Sequence, residues 1–182
     1  MEILTIYWIK ILATLVVFAV LLVLFFTQSA TIKDGRDVGS ELEKLGEPYR
    51  VFTNIVVRAE KGMMCVPFVA VSPYGVFVIT VSDDAGKVRG RAGDREWEIK
   101  SRGKIETIYN PLWKNRQQVN ALEKKLGSMK FIPVVVFTRA KLKTEFGPEV
   151  VPWNRLRNRI LQFDNRVLSE KQIEVTVQSL LK

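Results

Sequence analysis

The sequence contains no histidine and only one cysteine, Cys65, in 182 residues. Without histidine, a histidine-based zinc centre and a histidine general base are both excluded. A single cysteine cannot form an internal disulfide, which is typical of a protein in a reducing compartment. A cysteine nucleophile would lack its usual basic partner here, so the sequence favours a buried free thiol at Cys65.

Acidic residues are scarce as well, because 19 Asp and Glu stand against 28 Lys and Arg, a formal charge of +9. Before Lys33, only Glu2 and Lys10 carry charged side chains, so the rest of the chain holds the whole of this positive charge. A basic body of this kind suits two anionic partners, nucleic acid and lipid headgroups. Charge alone does not choose between them.

Charge is missing altogether from residues 11–32, a long run of mostly apolar residues. As a helix this run would span roughly 33 Å, enough to cross a hydrocarbon core of about 30 Å. The sequence therefore predicts an N-terminal transmembrane helix in residues 1–32, a linker at 33–36 and an α/β domain at 37–182. A cleaved signal peptide is the alternative, although such signals have apolar cores of only ~7–15 residues and want a small residue where Gln28 stands.

Basic residues flank this run unequally. Lys33, Arg36 and Lys44 follow it closely, whereas Lys10 and the terminal amine precede it. Because basic flanks tend to remain in the cytoplasm, the sequence predicts a single-pass protein of the cell membrane with a cytoplasmic domain.

Turn residues and apolar periodicity divide the domain into helices and strands. The predicted order is a helix at 37–46, strands at 49–59, 64–72 and 76–82, a turn at 83–86, a basic hairpin at 87–100, a helix at 110–127, a strand at 130–138, and helices around 153–163 and 169–181. A helical crossover before the strand at 130–138 permits a parallel neighbour, so the fold class is α/β with a mixed sheet.

Three stretches of the sequence resemble the nuclease-related domain (NERD) family in order and spacing. They are YRVFTNIVV from Tyr49, VSPYGVFVI…GKVRG…W from Val71, and NPLWKNRQQVNAL…PVVVF from Asn110. The resemblance covers residues 34–163 and implies a restriction-endonuclease-like fold with an αβββαβ core and a mixed sheet. Many members of this family also carry an N-terminal membrane helix, in agreement with the predicted span.

The resemblance also implies where active members of the family hold their catalytic residues. Such members have an Asp before the Ser-Pro-Tyr-Gly turn, Glu-x-Lys after it, a Glu on the first helix and a Gln in the helix opened by Asn-Pro. Two carboxylates hold Mg²⁺ against the scissile phosphate, and the Lys orients or deprotonates the attacking water. The matching positions in this sequence are Pro67, Thr80-Val81-Ser82, a place near Gly35, and Lys114.

The match therefore predicts a degenerate site that holds no metal cofactor. Neutral hydroxyls do not replace carboxylates toward a hard dication, and the side chain of Pro67 cannot ligate metal. An active Mg²⁺-dependent nuclease with relocated ligands is the alternative, and its candidate acids are Glu41, Asp83 and Asp84. The competing interpretation is that both aspartates form a turn and that Glu41 lies on a solvated helix face.

Basic residues are the remaining functional signal. The predicted contacts with nucleic-acid phosphates are Lys87, Arg89, Arg91, Lys114, Arg155 and Arg159. Anionic lipid, a protein partner in a membrane complex and plain solvation are the alternatives. The predicted function is a membrane-anchored, catalytically inactive nuclease-related domain that acts as a binding or scaffolding module.

Overall fold

The computed structural model describes residues 37–60 and 62–181, in which five consecutive strands separate the first helix from the second. The helices are α1 Val38–Glu43, α2 Pro111–Leu126, α3 Leu156–Leu161 and α4 Glu170–Leu180, with a 3-10 helix at Trp153–Arg155. The strands are β1 Arg50–Ala59, β2 Gly62–Ser72, β3 Gly75–Arg89, β4 Glu96–Ser101, β5 Lys104–Tyr109, β6 Phe131–Leu142 and β7 Val150–Pro152.

These strands form a single mixed sheet, which confirms the predicted α/β class. β1 to β5 pair in sequence order as antiparallel neighbours. β6 returns along α2 and lies parallel to β3, and β7 lies parallel to β6. A helical crossover between parallel strands, together with a meander of antiparallel ones, is consistent with a restriction-endonuclease-like domain.

The crossover helix α2 begins and ends where its sequence predicts. The side chain of Asn110 accepts a hydrogen bond from the backbone N–H of Leu112 at 2.9 Å, and Pro111 occupies the first turn, where its missing N–H costs nothing. Gly127 ends the helix with φ +85°, a backbone conformation that side chains disfavour.

The helices cover both faces of the sheet and create two cores. On one face, α1 and α3 pack on β3 and β6 through Leu42, Leu156, Phe77 and Val134. On the other face, α2 and α4 pack on β1, β2 and β3, a core that includes Leu122 and Val177. The centre of β3 is buried on both sides as a result, which accounts for its continuous apolar sequence.

A third core lies at the β4–β5 end of the sheet. It is formed around the Trp97 indole, which stacks on Phe137 at 6.2 Å between ring centroids and contacts Phe146 at 4.3 Å. Gly90 lies so close to this indole that an added Cβ would overlap it. The loop between β3 and β4 therefore has room for the Trp97 indole only with glycine at position 90.

One predicted turn is wrong. Residues 83–86 do not reverse the chain, because β3 continues through them to Arg89. Against β6, the register shifts between Ser82 and Ala85, so that Asp83 and Asp84 lie opposite one residue of β6. This is a β-bulge, in which polar residues are tolerated without a turn. The sequence also gave no indication of β5 or β7.

The predicted membrane helix at 11–32 and the linker at 33–36 lie outside the described residues. Within 37–60 and 62–181, no helix has both the length and the apolar character needed to cross a bilayer.

Candidate functional site

The site positions implied by the resemblance lie where β2 and β3 separate. Pairing between these strands begins at Ser72 and Gly75 and stops at Phe68 and Ile79. Pro67, which has no N–H to donate, comes next on β2, and Thr80 comes next on β3. We call this place the strand fork, meaning the space between Cys65–Pro67 on β2 and Thr80–Ser82 on β3.

Two amide side chains of α2 contact the strand fork. Gln118 spans it, because its Nε2 donates to the carbonyl oxygen of Cys65 at 3.1 Å and its Oε1 accepts from the Thr80 hydroxyl at 2.5 Å. Asn115 Nδ2 donates to Thr80 Oγ1 at 2.8 Å. Asn115 and Gln118 are 0% exposed and Thr80 is 1% exposed, so this hydrogen-bonded chain is sealed from solvent.

The carbonyl oxygens around Asn115 and Gln118 determine which group donates in each of these hydrogen bonds. Asn115 Nδ2 also lies 2.8 Å from the carbonyl oxygen of Val78 and 3.3 Å from that of Val134, both of which can only accept. Thr80 therefore accepts from Asn115 and gives its own proton to Gln118. Asn115 Oδ1 is buried and has no hydrogen-bond partner among the described residues.

This arrangement does not fit Mg²⁺. The Thr80 and Gln118 oxygens at the fork are hydrogen-bonded to each other, and the nearby Asp84 carboxylate accepts from the Ser82 hydroxyl. A hard dication needs carboxylates to offset its desolvation. Among residues 37–60 and 62–181, no group of three or more acidic, cysteine or histidine side chains is arranged to hold a metal ion.

The acids proposed as relocated ligands point to three different partners. Asp84 accepts from the Ser82 hydroxyl at 2.5 Å, and Asp83 accepts from the Thr138 hydroxyl of β6 at 2.7 Å. Glu41, on α1, pairs with Lys44 at 2.5 Å. Asp83 and Asp84 belong to the bulge and Glu41 to a helix turn, so each carboxylate has a local structural role.

One sequence prediction near the fork is wrong, and another stays a prediction. Lys114, which the resemblance matches to the family's glutamine, is exposed on α2, whereas Asn115 and Gln118 are buried polar positions of the helix. Helical spacing contained this information, since both amides lie within the stripe of Leu112 and Leu122. The thiol residue Cys65 is exposed, not buried.

The residues predicted to contact phosphates are not equally accessible to a ligand. Arg159 is held by the protein, with its guanidinium 4.9 Å from the centre of the Phe163 ring and a hydrogen bond to Gln162 at 3.1 Å. Arg91 follows the end of β3, where its backbone N–H bonds to Asp94 at 2.8 Å. The exposed members of the set are Lys87, Arg89, Arg91, Lys114 and Arg155.

Comparison with known families identifies the family to which the chain belongs. The nuclease-related domain (NERD) family model matches residues 32–138, more than half of the sequence. The chain belongs to the NERD family. No curated protein and no solved structure shows significant similarity to it.

The NERD match extends over β1 to β5, α2 and most of β6, and therefore includes the whole strand fork. Family membership indicates a nuclease-related function. The resemblance matches the family's ligand positions to Pro67, Thr80 and Ser82, and in the structure the Gln118 side chain bridges β2 and β3 at this place.

Proposed function

We propose that this NERD domain is catalytically inactive and acts as a binding module held at the cell membrane by residues 11–32, with its domain in the cytoplasm. The observation that supports inactivity most directly is the Asn115–Thr80–Gln118 hydrogen-bonded chain. It satisfies Thr80 and Gln118 from within the protein, where an active member would direct carboxylates at a metal ion.

The physical basis of this proposal is charge. Phosphodiester hydrolysis by a metal-dependent nuclease requires Mg²⁺ to offset the developing negative charge, and Mg²⁺ requires anionic ligands. Thr80 and Ser82 are neutral, and Ser82 donates its proton to Asp84 within the bulge. No reaction step at the fork follows from such residues.

A cleavage assay tests the proposal. The full chain is incubated with single- and double-stranded DNA and RNA in the presence of Mg²⁺ or Mn²⁺, and no cleavage is expected. Isothermal titration with Mn²⁺ is expected to show no binding above background. The alternative, an active nuclease with relocated ligands, requires cleavage that Asp84→Ala or Glu41→Ala abolishes.

A matched variant identifies contamination in that assay. Asp94→Ala removes an exposed carboxylate in the β3–β4 loop, remote in sequence from the fork. Cleavage that disappears in Asp84→Ala and persists in Asp94→Ala would overturn the proposal. Cleavage of the same rate in all variants would identify a co-purified nuclease.

The membrane anchor is tested separately. Residues 11–32 are uncharged and long enough to span a bilayer, so the full chain is expected to stay in the membrane fraction after alkaline extraction. Protease added to sealed cells is expected to spare the domain. Release of the chain by alkaline extraction would contradict the anchor.

The binding partner proposed for this module is anionic, because the domain is strongly basic and its exposed cations include Lys87 and Arg89. Nucleic acid is one such partner, and its binding would weaken steeply as salt is raised. A protein partner in a membrane complex is another, which crosslinking in native membranes would recover.

A further inference from the structure

Three lysines stand side by side on neighbouring strands at the far end of β3. Lys87 of β3 lies directly opposite Lys100 of β4, and it is also in register with Lys141 of β6. Residues paired in this way project from the same face of a sheet, with Cβ atoms about 5 Å apart. We call Lys141, Lys87 and Lys100 the lysine row.

The lysine row lies on a face of the sheet that no described element covers. All three lysines are exposed, whereas the residues that alternate with them, Val88 and Ile99, are buried in the third core. The ion pairs within residues 37–60 and 62–181 involve other lysines, at 44 and 124, and one arginine. Among the described residues, no carboxylate therefore lies within ion-pair distance of the three ammonium groups.

Like charges placed opposite each other on adjacent strands destabilise a sheet. Lys87 takes part in two such like-charge pairs, one with Lys100 and one with Lys141, and each is expected to lower the stability of the sheet. Arg139, two residues before Lys141, and Arg89, two residues after Lys87, extend the positive field, while Glu98 lies opposite Arg89. An anionic surface that contacts the row would remove the repulsion, so its geometry suits a flat, negatively charged partner.

An exposed aliphatic side chain completes the row at the sheet edge. Ile105 of β5 lies directly opposite Lys100 and is 63% exposed. Lysines beside an exposed aliphatic group are suited to a bilayer surface, where ammonium groups meet headgroup phosphates and the aliphatic group enters the interface. Stacking on nucleic-acid bases would need an aromatic ring, and the exposed Tyr109 of β5 lies four residues along, opposite Glu96.

We propose that the lysine row, with Ile105 at its edge, docks on the surface of an anionic bilayer. The predicted anchor at 11–32 and the four-residue linker after it would keep the domain within reach of such a surface, so docking needs no additional affinity from other regions. This proposal goes beyond the inactivity of the strand fork, since it concerns the opposite end of β3.

A fluorescent probe next to the row tests the docking. The full chain carries Cys65→Ser and Thr107→Cys, which places a single label on exposed β5, two residues from Ile105. It is reconstituted into vesicles that contain a headgroup-level quencher lipid, with or without anionic lipid. The label is expected to be quenched in anionic vesicles and not in zwitterionic ones, and high salt is expected to reverse the quenching.

Substitution of the row supplies the decisive control. Each lysine near an anionic surface contributes about fivefold, so Lys87→Gln, Lys100→Gln and Lys141→Gln together are expected to shift docking by about 100-fold. The matched variant replaces three exposed lysines elsewhere, Lys125, Lys130 and Lys171, with Gln and is expected to keep the quenching. The single change Lys87→Gln should give a partial loss, which guards against misfolding of the triple variant.

Two results would overturn the proposal. One is quenching in anionic vesicles that is equal in the row variant and the matched variant. The other is a label that responds to a single-stranded oligonucleotide but not to anionic lipid, which would assign the row to nucleic acid. Metal-dependent cleavage in the nuclease assay would contradict the inactive fork and leave both of these readouts unchanged.

Discussion

The two halves of β3 use polar residues in opposite ways. In the first half, Gly75–Ser82, the strand is buried between β2 and β6, and Thr80 is paired with two amides of α2. In the second half, beyond the bulge, Lys87 and Arg89 are exposed, and no carboxylate in the described part of the chain lies within ion-pair distance of them. One strand thus carries a neutral, internally satisfied region and a charged, unsatisfied one.

This difference indicates at which region the binding of another molecule would be favourable in free energy. A ligand that entered the strand fork would have to break existing hydrogen bonds, and replacing them with equivalent ones brings little net free energy. A ligand that met the lysine row would relieve repulsion. Family membership draws attention to the first region, while the physical chemistry favours binding at the second.

The largest effect is expected from Asn115→Ala in the strand fork. This change removes the donor to Thr80 and to two strand carbonyls and leaves a small cavity, so it should lower the free energy of unfolding by about 2–4 kcal/mol. Denaturant unfolding followed by tryptophan fluorescence measures it. Gln117→Ala, an exposed amide on the same helix, should change stability by less than about 0.5 kcal/mol. Equal losses in the two variants would show that Asn115 is not the centre of the network.

A smaller loss of stability is expected from Gly90→Ala in the loop between β3 and β4. The new methyl group would overlap the Trp97 indole, and overpacking of this kind costs about 1–3 kcal/mol. Gly93→Ala in the same loop meets no atom within 4 Å and is the matched control. Near-ultraviolet circular dichroism should report the displaced indole. An unchanged melting temperature in Gly90→Ala would mean that the loop adjusts freely.

Thr80→Val comes next, because it keeps the shape of the side chain and removes only its hydroxyl. Gln118 Oε1 then loses its donor inside the protein, so the free energy of unfolding should fall by about 1–2 kcal/mol. Thr107→Val, on exposed β5, is expected to be neutral. A neutral Thr80→Val would show that Gln118 finds another donor.

The smallest effect is expected from Lys87→Gln, and it has the opposite sign. Removal of the central charge relieves two like-charge pairs, so the unliganded protein should gain a few tenths of a kcal/mol, about 0.2–1 at low salt. Thermal melting at low and high salt measures the gain, which screening should abolish. A loss of stability at low salt would mean that Lys87 has a favourable contact in the folded protein.

Most of the sheet and its helices could be predicted because local signals were strong. Asn110, Pro111 and Gly127 mark α2 by their backbone preferences alone. The short edge strands β5 and β7 could not be found, because β5 has no buried residue to create alternation and β7 is only three residues long. A bulge and a turn both favour Asp and Gly, so residues 83–86 were ambiguous without knowledge of their partner β6.

The matched positions Pro67, Thr80 and Ser82 lie together at the strand fork, but the sequence analysis did not single out the amides that contact it. Their identity depends on which face of α2 packs on the sheet, and the match to family positions pointed to Lys114, which is exposed. A polar residue within an apolar helical stripe is the signal that would have found them. The lysine row depends on strand register across β6, β3 and β4, which is a tertiary property that sequence spacing does not give.

The bulge at Asp83 and Asp84 determines which side chains beyond it meet water. Because side chains alternate along a strand, the extra residue reverses the orientation of everything that follows it. If either aspartate were deleted, the other would lie alone opposite Thr138, and Lys87 would keep its register with Lys141. A deletion between the bulge and Lys87 would instead shift Lys87 by one residue against Lys100 and Lys141 and turn it to the opposite face, so the end of the sheet tolerates the loss of a residue only at the bulge.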